Sequence, residues 1–243
     1  MKALLLNSGL GSRMGALTKS LPKCMCQIGY GHTIISWQLE MLRRNGVREA
    51  VVTTGPFAGM LEEYILAHES EIEFTFVNNP VYSETNYIYS MYLAKDYLDA
   101  DILLLHGDLV IDPDVITDLV SEKRSIVTVD SLIPLPEKDF KAKLRDGRIE
   151  SVGIEFFGED CVACQPAYKF IYADFQEWMN KIADFCSRGE TRVYAENALN
   201  NISDKIALYP LELNNRLCNE VDNINDLKWV SNIFKKHYDK WRL

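Results

Sequence analysis

Short apolar segments alternate with longer amphipathic ones over the first two-thirds of the chain. Brief runs rich in leucine, valine, isoleucine and threonine predict strands over residues 3–7, 50–54, 74–77, 102–106 and 125–129. Apolar positions spaced three and four apart predict helices over residues 34–44, 58–67, 87–97 and 113–120. Because strands that alternate with helices form parallel sheets with both faces covered, the pattern predicts an α/β fold with a mostly parallel, twisted sheet.

The pattern changes in the last third of the chain. Two prolines and a charged turn at residues 145–148 accompany short apolar runs near residues 149–154 and 160–165. These runs predict a small antiparallel insertion beside the sheet. Helical spacing returns over residues 173–187 and 226–238, so we expect helices to close the chain.

Composition and charge narrow the classes of function. The chain has 243 residues, a formal net charge of −9 and a hydrophobic share of 47%, which is ordinary for a globular protein. The acidic balance argues against a nucleic-acid partner, since phosphate backbones attract basic surfaces. The first apolar run is too short for a signal peptide, and no window approaches the ~18 apolar residues of a membrane span. We therefore expect a cytoplasmic protein without a membrane partner.

Six cysteines include the pair Cys161-x-x-Cys164. This pair lies in a segment of alternating polarity, which turns the two thiols to opposite faces of a strand. No second such pair lies at the spacing of a zinc ribbon. We therefore expect reduced thiols rather than a metal or redox centre.

A glycine-rich loop follows the first predicted strand. It reads Gly9-Leu-Gly-Ser-Arg-Met-Gly15, and Pro22-Lys23 comes shortly after. A dinucleotide fingerprint needs its third glycine one residue earlier, and a Walker A loop ends in Gly-Lys-Ser/Thr, so both familiar phosphate loops are excluded. Backbone N–H groups and two cations, Arg13 and Lys23, remain, and this combination is typical of a polyphosphate site. An ordinary solvated turn between strand and helix is the plainer alternative.

These residues resemble the signature of the nucleotidyltransferases that activate sugar phosphates and related small phosphate esters. In that signature a strand precedes A-G-x-G-x-R and then P-K. The corresponding residues here are Ser8-Gly-Leu-Gly-Ser-Arg13 and Pro22-Lys23, with Asn7-Ser8 where the family more often has two alanines. The resemblance continues through Gly107-Asp108 and Glu220-Val-Asp222, and so covers nearly the whole chain.

Within this family the chain is most similar to choline-phosphate cytidylyltransferases of the bacterial cell-surface type and to phosphonate cytidylyltransferases. An Asn/Tyr/Ser run over residues 79–93 and the segment Tyr194-Ala-Glu-Asn197 carry this likeness. The resemblance implies a Rossmann-like sheet of the nucleotide-diphospho-sugar transferase type, in a single domain over residues 1–243. Its parts would be a nucleotide-binding part over residues 1–130, an acceptor-binding subregion over residues 131–220 and a C-terminal helix over residues 221–243.

The resemblance also implies roles for individual residues. Arg13 and Lys23 would hold the phosphates and act in catalysis, and Asp108 and Asp222 would hold Mg²⁺ through hard oxygen ligands. The nucleotide would contact Asn7, Ser8, Gly9, Gly11, Ser12, Asn86, Ser90 and Gly107. The acceptor would contact Tyr82, Tyr87, Tyr168, Tyr194 and Glu196. Aromatic faces and a carboxylate suit an ammonium group.

Several of these residues have a plainer structural alternative. Aspartate commonly caps helices, which applies to both Asp108 and Asp222. His106 fits a hydrogen-bonded strand end better than a ligand of Mg²⁺, since Mg²⁺ prefers oxygen. For Lys141 and Lys143 a solvated strand face is favoured over a contact with the acceptor phosphate.

We expect Mg²⁺-dependent transfer of CMP from CTP to a small amine-bearing phosphate or phosphonate, with release of pyrophosphate. The acceptor would be of the phosphocholine or 2-aminoethylphosphonate type. Two alternatives stay open: a sugar-1-phosphate nucleotidylyltransferase that uses UTP or dTTP, and a nucleotide-binding regulatory protein without chemistry. The sequence fixes neither the acceptor, nor the strictness of the CTP preference, nor the oligomeric state, and a homodimer is compatible with it.

Overall fold

The computed structural model describes residues 1–242. Its strands are β1 (Lys2–Leu6), β2 (Gln27–Gly29), β3 (His32–Thr33), β4 (Glu49–Thr54), β5 (Glu73–Asn78), β6 (Ile102–His106), β7 (Leu109–Ile111), β8 (Ser125–Asp130), β9 (Lys141–Arg145), β10 (Arg148–Gly153), β11 (Cys161–Phe170), β12 (Leu208–Glu212) and β13 (Cys218–Glu220). Its α-helices are α1 (Ile34–Arg44), α2 (Ala58–His68), α3 (Tyr87–Ala94), α4 (Pro113–Ser121), α5 (Tyr172–Ser187), α6 (Ala195–Asn200) and α7 (Ile224–Trp241). Short 3₁₀ helices span Ser12–Thr18, Lys23–Met25 and Lys95–Tyr97. Among residues 1–242, none of the helices combines the length and the hydrophobicity that a membrane span requires.

Nine of the strands form one mixed sheet. Strands β5, β4, β1 and β6 lie side by side and run parallel. Strand β11 pairs with the free side of β6 in the antiparallel direction, and it also pairs with β8 and β9. The insertion strands therefore join the main sheet. Two small antiparallel ladders lie outside it, one formed by β7 and β13 and the other by β2 and β3. The predicted α/β fold, with a parallel core and an antiparallel insertion, is confirmed.

The sheet separates two hydrophobic layers, and β1 contributes to both. Ala3 and Leu5 pack with residues of α1, α4 and α7 on one face. Leu4 and Leu6 pack with residues of α3, α5 and α6 on the other face. All four side chains are buried, as expected for a central strand whose two faces are both covered.

The elements of the first 130 residues lie close to their predicted positions, although the helix predicted over residues 87–97 ends at Ala94 and continues as a 3₁₀ turn. The prediction missed β9, and it stopped β11 at residue 165, whereas this strand continues to Phe170. It also missed β12 and the short strands β2, β3, β7 and β13. Strands of two or three residues are too short to show a periodicity.

The expectation of a solvated Lys141 is wrong. Lys141 is completely buried. Its ammonium group donates to the carbonyl of Pro136 over 2.8 Å and lies 4.0 Å from the centre of the Phe157 ring. The segments before β9 and after β10 therefore close over this side chain. Lys143 instead pairs with Glu150, with 3.0 Å between Nζ and Oε2.

Candidate active site

A cleft of about 360 Å³ opens at the edge of the sheet where β1, β4 and β6 end. Because these strands are parallel, Asn7 after β1 and Gly107 after β6 reach the same edge. The loop after β1, the segment before α3, the end of β6, the segment before β9 and the residues around β13 supply the walls. The cleft brings together all of the predicted site residues except Tyr168 and Glu196.

The loop after β1 leaves backbone donors free. The N–H groups of Gly9, Leu10 and Gly11 donate to no acceptor within residues 1–242. Gly11 has a left-handed φ of 62°. Its carbonyl accepts from the N–H of Met14 over 2.9 Å and from the hydroxyl of Thr18 over 2.8 Å. These two bonds hold the turn, so the free N–H groups form a preorganised site of the kind that binds a polyphosphate.

Gly11→Ala is expected to lower the free energy of unfolding by about 1–2 kcal/mol, because a side chain disfavours the left-handed conformation. The added Cβ would also lie 3.1 Å from Cβ of Lys23 and 3.3 Å from Cγ2 of Thr18. Gly9→Ala is the matched control, since an added Cβ there meets no atom within 4 Å and its φ is not positive. Urea unfolding measures both variants, and equal losses of stability would contradict this account.

Four charged side chains meet in the cleft. The ammonium group of Lys23 contacts the carboxylates of both Asp108 and Asp222, with 3.1 Å to Oδ1 of Asp222. Arg13 binds the two oxygens of Asp222 through two contacts of 2.8 Å each. The Arg13 side chain is 69% exposed, whereas that of Lys23 is 16% exposed. Lys23 is thus held between two carboxylates, whereas the Arg13 side chain is largely exposed to solvent at the mouth of the cleft.

Burial and neighbouring charges shift the pKa values of this cluster in opposite directions. Burial alone would lower the pKa of Lys23, but the carboxylates of Asp108 and Asp222 raise that pKa above its ordinary value. Burial alone would raise the pKa of Asp108, but Lys23 and His106 lower it. Lys23 and Asp108 are therefore both charged at neutral pH.

Neither aspartate of the cluster caps a helix. Asp108 lies between β6 and β7, and its carbonyl accepts from the N–H of Val221 over 2.9 Å, beside the ladder of β7 with β13. Asn223 caps α7 in a capping box with Asp226. The carboxylate of Asp226 also accepts from the N–H of Asp222 over 3.0 Å, which fixes the backbone that carries the Asp222 carboxylate. Both carboxylates therefore belong to the charged cluster and not to a helix terminus.

One group of side chains in the cleft fits a divalent cation. Potential ligand atoms of His106, Asp108 and Glu220 all lie within 4.8 Å of one another. Oδ1 of Asp108 and Nε2 of His106 are buried and have no hydrogen-bond partner within the described residues. Because a buried polar atom without a partner destabilises the folded protein, we expect a cation, a water molecule or a substrate atom to bind these two atoms. Asp222, predicted as the second ligand, connects to Asp108 through their shared contact with Lys23.

Glu220 was missed by sequence reasoning. Its Oε1 lies 3.1 Å from Nδ1 of His106. Burial raises the pKa of Glu220 and the charge of Asp108 adds to the rise, while His106 partly offsets it. A signal was present in the sequence, because residues two apart in an extended segment share a face, which places Glu220 beside Asp222.

Small polar side chains build another part of the cleft. The Asn7 side chain packs against Gly107, where a Cβ would lie only 1.9 Å from Oδ1 of Asn7. Its Nδ2 is buried and has no partner within the described residues. Asn86 is the N-cap of α3, and its Oδ1 accepts from the N–H of Tyr87 over 2.8 Å. Asn86 thus caps α3 through its oxygen and also lines the cleft, and the unpaired amide of Asn7 is a second group open to a ligand.

Aromatic side chains form one wall of the cleft. The ring of Tyr87 lies 4.8 Å from that of His106 and 6.0 Å from that of Tyr194. The Tyr194 ring packs edge-on against Phe140 at 5.1 Å, and Tyr82 also lines the cleft. Sequence reasoning did not select Phe140, because no local pattern shows that the segment before β9 turns into the site.

Tyr168 and Glu196 do not line the cleft, which corrects the expectation that they contact an acceptor directly. Tyr168 is 0% exposed and Glu196 is 1% exposed. The Glu196 carboxylate accepts from the hydroxyl of Tyr168 over 2.9 Å and from the hydroxyl of Tyr87. Burial and the charge of Glu196 raise the pKa of both tyrosines well above the usual range. Both hydroxyls therefore stay protonated, and Glu196 holds Tyr87 in the wall.

Glu196→Ala is expected to lower the free energy of unfolding by about 2–4 kcal/mol, because it leaves two buried tyrosine hydroxyls without an acceptor. Glu196→Gln retains one acceptor oxygen and should lose less. Glu177→Ala, an exposed position on α5, is the control and should stay within about 0.5 kcal/mol of wild type. Chemical denaturation compares the three variants, and an effect of Glu196→Ala no larger than that of Glu177→Ala would refute the proposed support of Tyr87.

A cleft at the ends of parallel strands, with free backbone donors, two cations and two carboxylates, defines an α/β enzyme with a candidate polyphosphate site. The family model described as nucleotidyl transferase matches residues 2–137, which is more than half of the chain. The chain belongs to the nucleotidyl transferase family and is a nucleotidyltransferase.

Individual relatives agree with this assignment. The CTP:phosphoglutamine cytidylyltransferase of Campylobacter jejuni is 26% identical over 253 aligned residues, which cover 94% of this chain and 98% of that protein. The 2-aminoethylphosphonate cytidylyltransferase of Lancefieldella rimae is 32% identical over 110 residues, which cover 45% of this chain and 43% of that protein. The solved CTP:phosphocholine cytidylyltransferase of Streptococcus pneumoniae has a TM-score of 0.77 at 19% identity, with coverage of 96% and 98%. At that identity the structural likeness shows the shared Rossmann-like fold.

Proposed function

We propose that this chain transfers CMP from CTP to a small, nitrogen-bearing phosphate or phosphonate and releases pyrophosphate. The observation that carries the proposal is the meeting of Arg13, Lys23, Asp108 and Asp222 beside the free N–H groups of the loop after β1. Such a site can neutralise a triphosphate and stabilise a charged leaving group.

The relatives support both CTP as the nucleotide and a nitrogen-bearing phosphate or phosphonate as the acceptor. All three are named as cytidylyltransferases, and two of them are matched over 98% of their length. Their named acceptors are phosphoglutamine, 2-aminoethylphosphonate and phosphocholine. Each of these molecules joins a phosphate or phosphonate to a nitrogen-bearing group, which is the chemistry that we propose for the acceptor here.

In the proposed reaction an anionic oxygen of the acceptor attacks the α-phosphorus of CTP. The new oxygen–phosphorus bond forms as the bond between the α-phosphorus and its bridging oxygen breaks, and the electron pair leaves with pyrophosphate. Because the acceptor oxygen is already ionised near neutral pH, the reaction needs no general base. Repulsion between anions is the main barrier, so positioning and electrostatic stabilisation dominate catalysis.

Arg13 and Lys23 would supply the positive charge. Both now contact carboxylates, and an arriving triphosphate offers anionic oxygens in exchange. The N–H groups of residues 9–11 would add donors whose positions the turn already fixes. Together these groups would stabilise the charge that grows on the departing pyrophosphate.

Asp108 would hold a divalent cation together with Glu220 or Asp222. The unpaired Oδ1 of Asp108 and the close approach of His106, Asp108 and Glu220 support this fit. Carboxylate oxygens are the ligands that Mg²⁺ prefers. When bound, Mg²⁺ would supply Lewis-acid stabilisation of phosphate charge.

The aromatic wall would receive the nitrogen-bearing end of the acceptor. The rings of Tyr87, Tyr194 and Phe140 lie next to one another there, and Tyr82 also lines the cleft. Aromatic faces attract cations, so a positively charged ammonium group suits this wall.

Pyrophosphate release tests the proposal directly. The assay crosses CTP, UTP, dTTP and ATP with phosphocholine, 2-aminoethylphosphonate, phosphoglutamine and glucose 1-phosphate. We expect turnover of CTP with at least one of the three nitrogen-bearing acceptors. Turnover of glucose 1-phosphate with UTP or dTTP, and of none of the nitrogen-bearing acceptors, would instead establish a sugar-1-phosphate nucleotidylyltransferase.

A further inference from the structure

A chain of hydrogen bonds runs from the backbone to the small polar part of the cleft. It starts at the N–H of Asn7, which donates to Oγ1 of Thr53 over 3.1 Å. Oγ1 of Thr53 lies 3.1 Å from Oγ of Ser8, and Ser8 donates to Oγ of Ser90 over 2.7 Å. Thr53, Ser8 and Ser90 are all buried, with at most 6% of any residue exposed. The directions of these bonds are therefore set by the protein groups themselves.

The hydroxyl groups in this series of hydrogen bonds can donate in only one direction. A hydroxyl group carries one proton and two acceptor lone pairs. Ser8 gives its proton to Ser90, so Thr53 must be the donor in the pair of Thr53 and Ser8. The backbone N–H of Asn7 can only donate, which fixes the far end of the chain. Each hydroxyl therefore donates toward the cleft.

Asn79 adds a second donor to Ser90. Its Nδ2 donates to Oγ of Ser90 and to Oγ1 of Thr85, each over 3.0 Å. Its Oδ1 accepts from the N–H of Val81 over 3.0 Å, which settles the orientation of the amide, because only the oxygen can accept. With Asn79 and Ser8 both donating to it, Ser90 has both of its lone pairs occupied.

The remaining proton of Ser90 meets no acceptor among residues 1–242, and Ser90 lines the cleft. We propose that these hydrogen bonds make Ser90 a pure donor toward N3 of the bound base, and that Ser8 and Asn79 act as positioning residues that set base specificity. The inference rests on the proposed function, since it takes this part of the cleft to receive the pyrimidine of CTP.

The chemistry of the bases gives the expected selectivity. Cytosine has an unprotonated N3, which accepts a hydrogen bond, whereas uracil and thymine carry a proton on N3. A hydroxyl that can only donate, and that faces N3 of the base, pairs with cytosine but meets a second donor in uracil or thymine. Two hydrogen-bond donors that face each other both remain without an acceptor. Because unpaired polar groups in a buried site are unfavourable, the site would bind uracil and thymine weakly. The site thereby selects CTP over UTP and dTTP.

Calorimetric titration with CTP and with UTP, each in the presence of Mg²⁺, tests the inference, because binding requires no acceptor. Ser90→Ala removes the donor and should lower the ratio of CTP affinity to UTP affinity by about tenfold or more. Ser8→Ala and Asn79→Leu each free one lone pair and let the hydroxyl turn, so each should lower the ratio similarly. In a Ser90→Ala background neither should change the ratio further, because both act through Ser90.

Asn78→Leu is the matched control, since it makes the same change one residue earlier, at an exposed side chain outside the cleft. It should keep the wild-type ratio. Two results would overturn the inference and leave the proposed function standing. One is a CTP preference that persists in the Ser8→Ala and Asn79→Leu variants. The other is a reduction of the preference by these changes that is equal with and without the Ser90 hydroxyl. Loss of both affinities at a constant ratio also overturns the inference. Equal wild-type affinities for CTP and UTP overturn both the inference and the cytidylyl part of the proposed function.

Discussion

Lys23→Ala is expected to reduce turnover by about a hundredfold to a thousandfold, the effect of removing one preorganised charge-stabilising donor from an active site. Lys23 is the one side chain in contact with both Asp108 and Asp222 within the described residues, and its own side chain is only 16% exposed. A mobile cation from solvent cannot replace a fixed ammonium group at this position. Steady-state kinetics of pyrophosphate release measures the effect, which should fall mainly on kcat.

The loss of Lys23 also leaves two carboxylates without their shared cation, so thermal unfolding must be measured beside turnover. We expect a modest decrease in Tm that added Mg²⁺ largely restores, while turnover stays low. Lys19→Ala, an exposed position on the same loop, is the control and should retain activity. Turnover near the wild-type value in the Lys23→Ala variant would remove the basis of the assignment.

Asp108→Asn is expected to reduce turnover by about a hundredfold or more, because metal-assisted stabilisation of phosphate charge amounts to several kcal/mol. The amide keeps the size of the side chain but loses the negative charge, and its nitrogen cannot ligate a cation. One oxygen of this carboxylate contacts Lys23, whereas Oδ1 is buried without a partner among the described groups and is the atom open to a cation.

A binding measurement separates a metal role of Asp108 from a structural one. Mg²⁺ should raise the Tm of the wild type and of Asp114→Asn, which changes an exposed aspartate on α4, but not the Tm of Asp108→Asn. If Asp108→Asn keeps both the Mg²⁺-dependent rise in Tm and its activity, then Asp108 is not the metal ligand of this site.

The local parts of the structure were predictable from the sequence. The apolar run over residues 3–7 predicts a strand of a sheet with both faces covered, and the structure buries β1 on both faces. The loop with Gly11, Arg13 and Lys23 predicts a cluster of donors and cations because its residues are close in sequence. The strand end at Asp108 is equally local, since parallel strands end at one edge of the sheet.

The insertion was harder to predict because tertiary contacts decide its side-chain directions. The register of β11 shifts between Gln165 and Tyr168, and a shift of this kind changes the face to which a side chain points. Tyr168 therefore enters the core and not the cleft. Lys141 is buried because segments distant along the chain close over it, and no periodicity in the sequence contains that information.

Nucleotidyl transfer from CTP to a phosphate or phosphonate joins two phosphorus atoms through a new anhydride, which ³¹P NMR of a complete reaction detects. The reaction contains enzyme, CTP, Mg²⁺ and each nitrogen-bearing acceptor in turn. We predict that with one acceptor the α-phosphorus signal of CTP gives way to that of a new anhydride linked to the acceptor phosphorus, with an equal amount of pyrophosphate. An unchanged spectrum with all three acceptors, although CTP is bound, or hydrolysis of CTP without a new anhydride, would contradict the account.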